Sequence, residues 1–182
     1  MYLLNISDLH DIIYNMNALL LPGNSSRHGE WIESLKLAVA PRFQHTETQH
    51  YRHWQVGGKE ADIDYEIGVA QSKVERLEPY IIIAKSIGTA IAAKGVVDEK
   101  LKPEKLVLLG VPINGGVPKD LFSRWLQVID VQIVFVQNTG DPLGSFSDVR
   151  AAFADKSSSV SFVELLGETH DYLDFSSIAK LI

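Results

Sequence analysis

The chain has 182 residues, 46% of them hydrophobic and 22% charged, which is the composition of one globular domain with a sizeable core. Its net charge of −6, with Lys and Arg scattered, opposes nucleic acid or an anionic membrane surface as the main partner. The absence of cysteine excludes disulfides, a thiol nucleophile and thiolate metal sites.

The N-terminal stretch has no basic start, and Asp8, Asp11 and Asn15 interrupt its apolar pieces, so it does not read as a secretory signal. Tyr2 to Ile6 is the only segment available for a strand before Ala18. Ala18 to Leu21, closed by Pro22-Gly23, reads as a buried strand entering a turn. It belongs to the longest apolar run, which is far too short to cross a bilayer, and cytoplasm is the expected location. From Ser26 to Val39, apolar residues at Trp31, Leu35 and Ala38/Val39 recur at helical spacing, and Pro41 marks the stop. His50 to Val56, rich in aromatic and polar residues, is expected to be a strand broken by Gly57-Gly58. Ile63, Ile67, Ala70, Val74 and Leu77 form the stripe of an amphipathic helix.

Tyr80 to Ala84 is the clearest buried strand, and the small residues after Ser86 lead through a helix to Gly95. Strands follow at Leu106–Gly110, Ile133–Val136 and Val160–Leu165, with helices at Lys119–Val128, Ser147–Ala154 and Ser176–Ile182. Strands rich in Ile, Val and Leu with little alternation are buried on both faces. The expectation is a doubly wound, mostly parallel sheet of about six to seven strands flanked by helices, in one domain over residues 1–182.

Ligands in such sheets bind beyond the carboxyl ends of the strands. Three of the segments there supply a serine, an aspartate and a histidine. Ser86 lies in Ala84-Lys85-Ser86-Ile87-Gly88, between the strongest strand and a helix of small residues. Small residues two before and two after a serine let strand and helix approach while the hydroxyl projects, although Ala84 stands where the usual pattern has glycine. Asp141, in Gly140-Asp141-Pro142, can reach a histidine on the following strand–helix loop and orient it. His170 follows the last strand and is the candidate base; the order Ser, Asp, His fits this assignment. The N–H groups of Ile87 and Asn24 are candidates for the oxyanion hole, with Gly23 allowing close backbone approach. Gly23, Ser25, Lys85 and Ile113 are candidate substrate contacts, with Arg27 and His28 nearby, although Lys85 reads more readily as a solvated lysine.

The ordered set Leu-Pro-Gly-Asn-Ser, Ala-Lys-Ser-Ile-Gly, Gly-Asp-Pro and Thr-His resembles the alpha/beta-hydrolase superfamily over almost the whole chain. The resemblance implies a compact member with no cap domain, a reduced N-terminal hairpin, a Ser86–His170–Asp141 triad, an acyl-enzyme and no cofactor. The expected partner is a small ester- or thioester-like substrate, and a homodimer is compatible with the sequence. A hydrolase-fold binding protein with little or no turnover is the alternative. The cluster His45, Glu47, His50 and His53 places no clean ligand pair on one helix face, so no metal site is expected.

Overall fold

The computed structural model describes residues 16–115, 117–154 and 159–182; the strand expected at Tyr2 to Ile6 lies outside them. The described chain enters through β1 (Asn17–Leu21), followed by helix α1 (His28–Val39) and the short strand β2 (Thr46–Thr48). Helices α2 (Arg52–Val56) and α3 (Ile63–Val74) lead to β3 (Tyr80–Lys85) and α4 (Ile87–Val97). Then come β4 (Lys105–Leu109), α5 (Lys119–Val128), β5 (Gln132–Asn138), α6 (Phe146–Phe153), β6 (Val160–Leu165) and α7 (Phe175–Lys180).

The six strands form one sheet in the order β2-β1-β3-β4-β5-β6, every pair parallel. All five residues of β1 and all six of β3 are buried, which is why these strands carry almost no polar residues. Side chains alternate between two cores. Tyr80, Ile82 and Ala84 pack toward α3, α4 and α5, whereas Ile81 and Ile83 pack toward α1 and α7. No described helix is long and apolar enough to cross a membrane.

The segment His50 to Val56 departs from its expected strand. The edge strand is Thr46–Thr48, earlier and more polar, and Arg52–Val56 is a single helical turn. Its glycine pair ends that turn: Gly57, at φ 74°, is a left-handed helix cap. The local aromatic content mimics a strand, but the turn is fixed by tertiary bonds from His53 and Trp54 to the loop after β1.

Strand order reverses between β1 and β3, so their outgoing loops diverge to opposite faces and leave a crevice at the carboxyl edge. Register pairs Leu21 with Ala84 and Lys85 with Leu109, which brings the ends of these strands level. The loop at Pro22–Ser26 and the turn at Ser86 are therefore neighbours.

Candidate active site

Ser86 sits on the tight turn between β3 and α4 with φ 55° and ψ −122°, a backbone conformation that disfavours a side chain. Three hydrogen bonds hold it there. Its N–H donates to the Leu109 carbonyl at 3.0 Å, and its carbonyl accepts from the Thr89 N–H at 2.9 Å and the Thr89 hydroxyl at 2.6 Å. A Cβ at Gly88 would lie 2.6 Å from the Leu21 carbonyl oxygen and 2.7 Å from that of Pro22. Glycine is thus what lets the exit of β1 cross the start of α4. Ala84 is fully buried, so a methyl group is accommodated where the common pattern has glycine.

The loop after β1 is locked through Asn24. Its backbone carbonyl accepts from His53 Nε2 at 2.7 Å and Trp54 Nε1 at 2.8 Å. Its side chain donates to the Lys59 carbonyl and accepts from the Ala61 N–H, each at 2.9 Å. Four bonds on one residue leave the loop little freedom. The backbone N–H groups of Asn24 and Ile87 have no intramolecular acceptor among the described residues, and both residues border one cleft with Ser86. Two free amides beside a hydroxyl, one at a helix N-terminus, can stabilise negative charge on an oxygen bound there.

Asp141 and His170 are joined. His170 Nδ1 lies 3.0 and 2.8 Å from the two Asp141 carboxylate oxygens. The Asp141 side chain is wholly enclosed and also accepts from the Leu143 N–H at 2.9 Å and the Tyr172 hydroxyl at 2.7 Å. With a carboxylate at Nδ1, the neutral ring carries its proton there and offers Nε2 as an acceptor. A Cβ at Gly110 would lie 3.0 Å from His170 Cε1, so the ring rests against Gly110, which follows the Leu109 whose carbonyl holds Ser86. His170 Nε2 is buried without a hydrogen-bond partner, and it makes no hydrogen bond to the Ser86 hydroxyl.

Lys85 overturns the expectation of a solvated lysine. Strand alternation turns its side chain toward α1, where it is fully buried. Its Nζ lies 3.1 Å from His28 Nε2 and 5.5 Å from the centre of the Trp31 ring. Burial lowers its ammonium from 10.5 to about 8, against the pull of Asp171 and Asp141. An ammonium only donates, so His28 Nε2 accepts and the ring is neutral. Consistently, burial and then the Lys85 charge lower His28 from 6.5 to about 4. Lys85 is therefore placed behind the site and does not line its cleft.

The cleft beside Ser86 has a volume of about 310 Å³. Ala61, Ile63, Pro112, Val117 and Leu143 give it aliphatic walls; Glu60 is the one charged group among its described lining residues. Of the remaining candidates, Ser25 accepts the Arg27 N–H at 3.3 Å in a local turn, and Arg27 is exposed. Gly23 carries the His28 ring against its backbone, and Ile113 is buried beneath Gly144.

No protein-family model and no curated protein matches the sequence. Solved structures do match. An N-formylmaleamic acid deformylase from Pseudomonas putida S16 superposes with a TM-score of 0.66 at 12% identity, covering 91% of this chain and 92% of that one. A monoacylglycerol lipase from Paleococcus ferrophilus gives 0.65 at 13%, covering 92% and 95%.

The fold is that of an alpha/beta hydrolase.

A third match, the type II thioesterase BorB of the borrelidin biosynthetic cluster, gives 0.65 at 16% and covers 92% and 89%. The match spans nearly the full length of these alpha/beta-hydrolase chains, and no cap domain is evident in the described residues. The Tyr172 contact, the His53–Trp54 clamp and the Asn24 side chain went unread in the sequence.

Proposed function

We propose that this chain is a serine hydrolase that cleaves a carboxylic ester or thioester of a small molecule through an acyl-enzyme on Ser86. The observation that carries the reading is the contact of His170 with the buried Asp141, with the free Nε2 of His170 at the same sheet edge as the strained Ser86 turn. His170 takes the Ser86 proton as the hydroxyl attacks the substrate carbonyl, and Asp141 steadies the imidazolium that forms. The Ile87 and Asn24 amides hold the oxyanion. The alcohol or thiol leaves with the proton from His170; water then gives a proton to His170 and attacks the acyl carbon, releasing the acid. Hydrogen bonds of this kind are often open before substrate binds, which accommodates the unmade Ser86–His170 bond.

The cleft supports a neutral, largely apolar acyl group, since its walls are aliphatic and Glu60 opposes an anionic one. The alternative, a hydrolase-fold binding protein without turnover, rests on that same unmade bond and on Ala84. Hydrolysis of p-nitrophenyl esters of increasing chain length decides between them. Turnover that disappears in both Ser86→Ala and His170→Ala is expected; turnover that survives either change, or none at all with a folded protein, refutes the enzyme reading.

A further inference from the structure

Tyr172 occupies a position that its own backbone resists. It adopts φ 55°, in the left-handed region that a bulky aromatic residue rarely enters. Three features accommodate it. Its carbonyl accepts from Trp31 Nε1 at 3.0 Å, its hydroxyl accepts from the Asn138 N–H at 2.9 Å, and Gly110 leaves room for the ring. A Cβ at Gly110 would lie 2.6 Å from Tyr172 Cε2. The hydroxyl proton is left for Asp141 Oδ2, the oxygen that His170 Nδ1 approaches most closely. Backbone strain at such a point is a signature of a constrained site.

Resting on the serine-hydrolase reading, we propose that Tyr172 is a positioning residue that fixes Asp141 through its hydroxyl and tempers the hold of Asp141 on the His170 proton. A carboxylate that accepts from Tyr172 and from the Leu143 N–H has its charge shared among donors, so it stabilises imidazolium less than a bare carboxylate would. A general base must be neutral at working pH, and too strong a carboxylate would hold it protonated. The other titratable groups around the pair are the Lys85 ammonium at the end of β3, the neutral His28 on α1, and Asp171 beside His170, with Glu168 against Gly140. None is hydrogen-bonded to Asp141 among the described residues, so the hydroxyl is the side-chain contact that can be removed alone.

Tyr172→Phe keeps the ring and backbone and deletes one donor. The rate of fluorophosphonate labelling, measured against pH, is expected to fall about tenfold in the variant. The acid limb of that profile is expected to move up by roughly half to one pH unit. The His170 imidazole titration followed by NMR, assigned with His170→Ala, is expected to move the same way. A packing role alone would reduce the amount of folded protein without moving either curve. If the wild type labels at Ser86 and Tyr172→Phe leaves both curves in place, this inference is overturned while the hydrolase reading stands. If the wild type does not label but the titration moves as stated, the effect on His170 stands and the hydrolase reading fails.

Discussion

Lys85→Met tests how this fold tolerates a cation shut away from water. The ammonium is fully buried and lowered to about 8, whereas in the unfolded chain it keeps its proton to about pH 10.4. Below pH 8 both states are protonated, and the folded state bears the full cost of burying the charge. Between pH 8 and about 10.4 the unfolded chain binds more protons, so stability rises with pH and the cost is relieved. The gap corresponds to roughly 3 kcal/mol. Tyr51, Tyr80 and Tyr172 are all raised, mainly by burial, and act in the opposite sense near and above pH 10. The difference between wild type and Lys85→Met removes those contributions, and methionine preserves most of the packed stem. Urea unfolding at fixed ionic strength from about pH 7.5 to 10.5 measures that difference. The wild type should gain about 3 kcal/mol on the variant across the window. Parallel curves would show that the ammonium reaches solvent, and the assignment of His28 as a neutral acceptor would lose its basis.

His28, lowered to about 4, should make stability fall as pH drops from 6.5 toward 4, because only the unfolded chain takes up the proton there. The loss is on the order of 2 kcal/mol after allowance for its partial exposure, and His28→Gln should flatten it in the same unfolding assay. Gly88→Ala should lower stability by roughly 2–4 kcal/mol, measured as a depressed Tm, because its methyl group overlaps two backbone carbonyls that have no free rotation.

The parallel sheet was legible because burial on both faces leaves a simple mark: Tyr80 to Ala84 and Leu106 to Leu109 have almost no polar residues. The turn at Ser86 was legible for a steric reason, since strand, serine and small-residue helix are contiguous in the chain. Asp141 and His170 could be placed because topology sends the outgoing ends of parallel strands to one edge. The tertiary contacts around the site could not be read. The turn at Arg52–Val56 depends on a carbonyl at Asn24, distant in sequence, and local composition pointed to a strand instead. The direction of Lys85 depends on strand alternation and on which helix covers that face. Tyr172 carries a backbone angle that no tyrosine prefers, so propensity gave no warning of it.

The central claim is that Ser86 is a nucleophile served by His170. Peptide mapping by mass spectrometry after fluorophosphonate treatment tests it directly. One adduct on the peptide bearing Ser86, abolished in His170→Ala, is the predicted result. An adduct on another residue, or none on a folded protein, would contradict it.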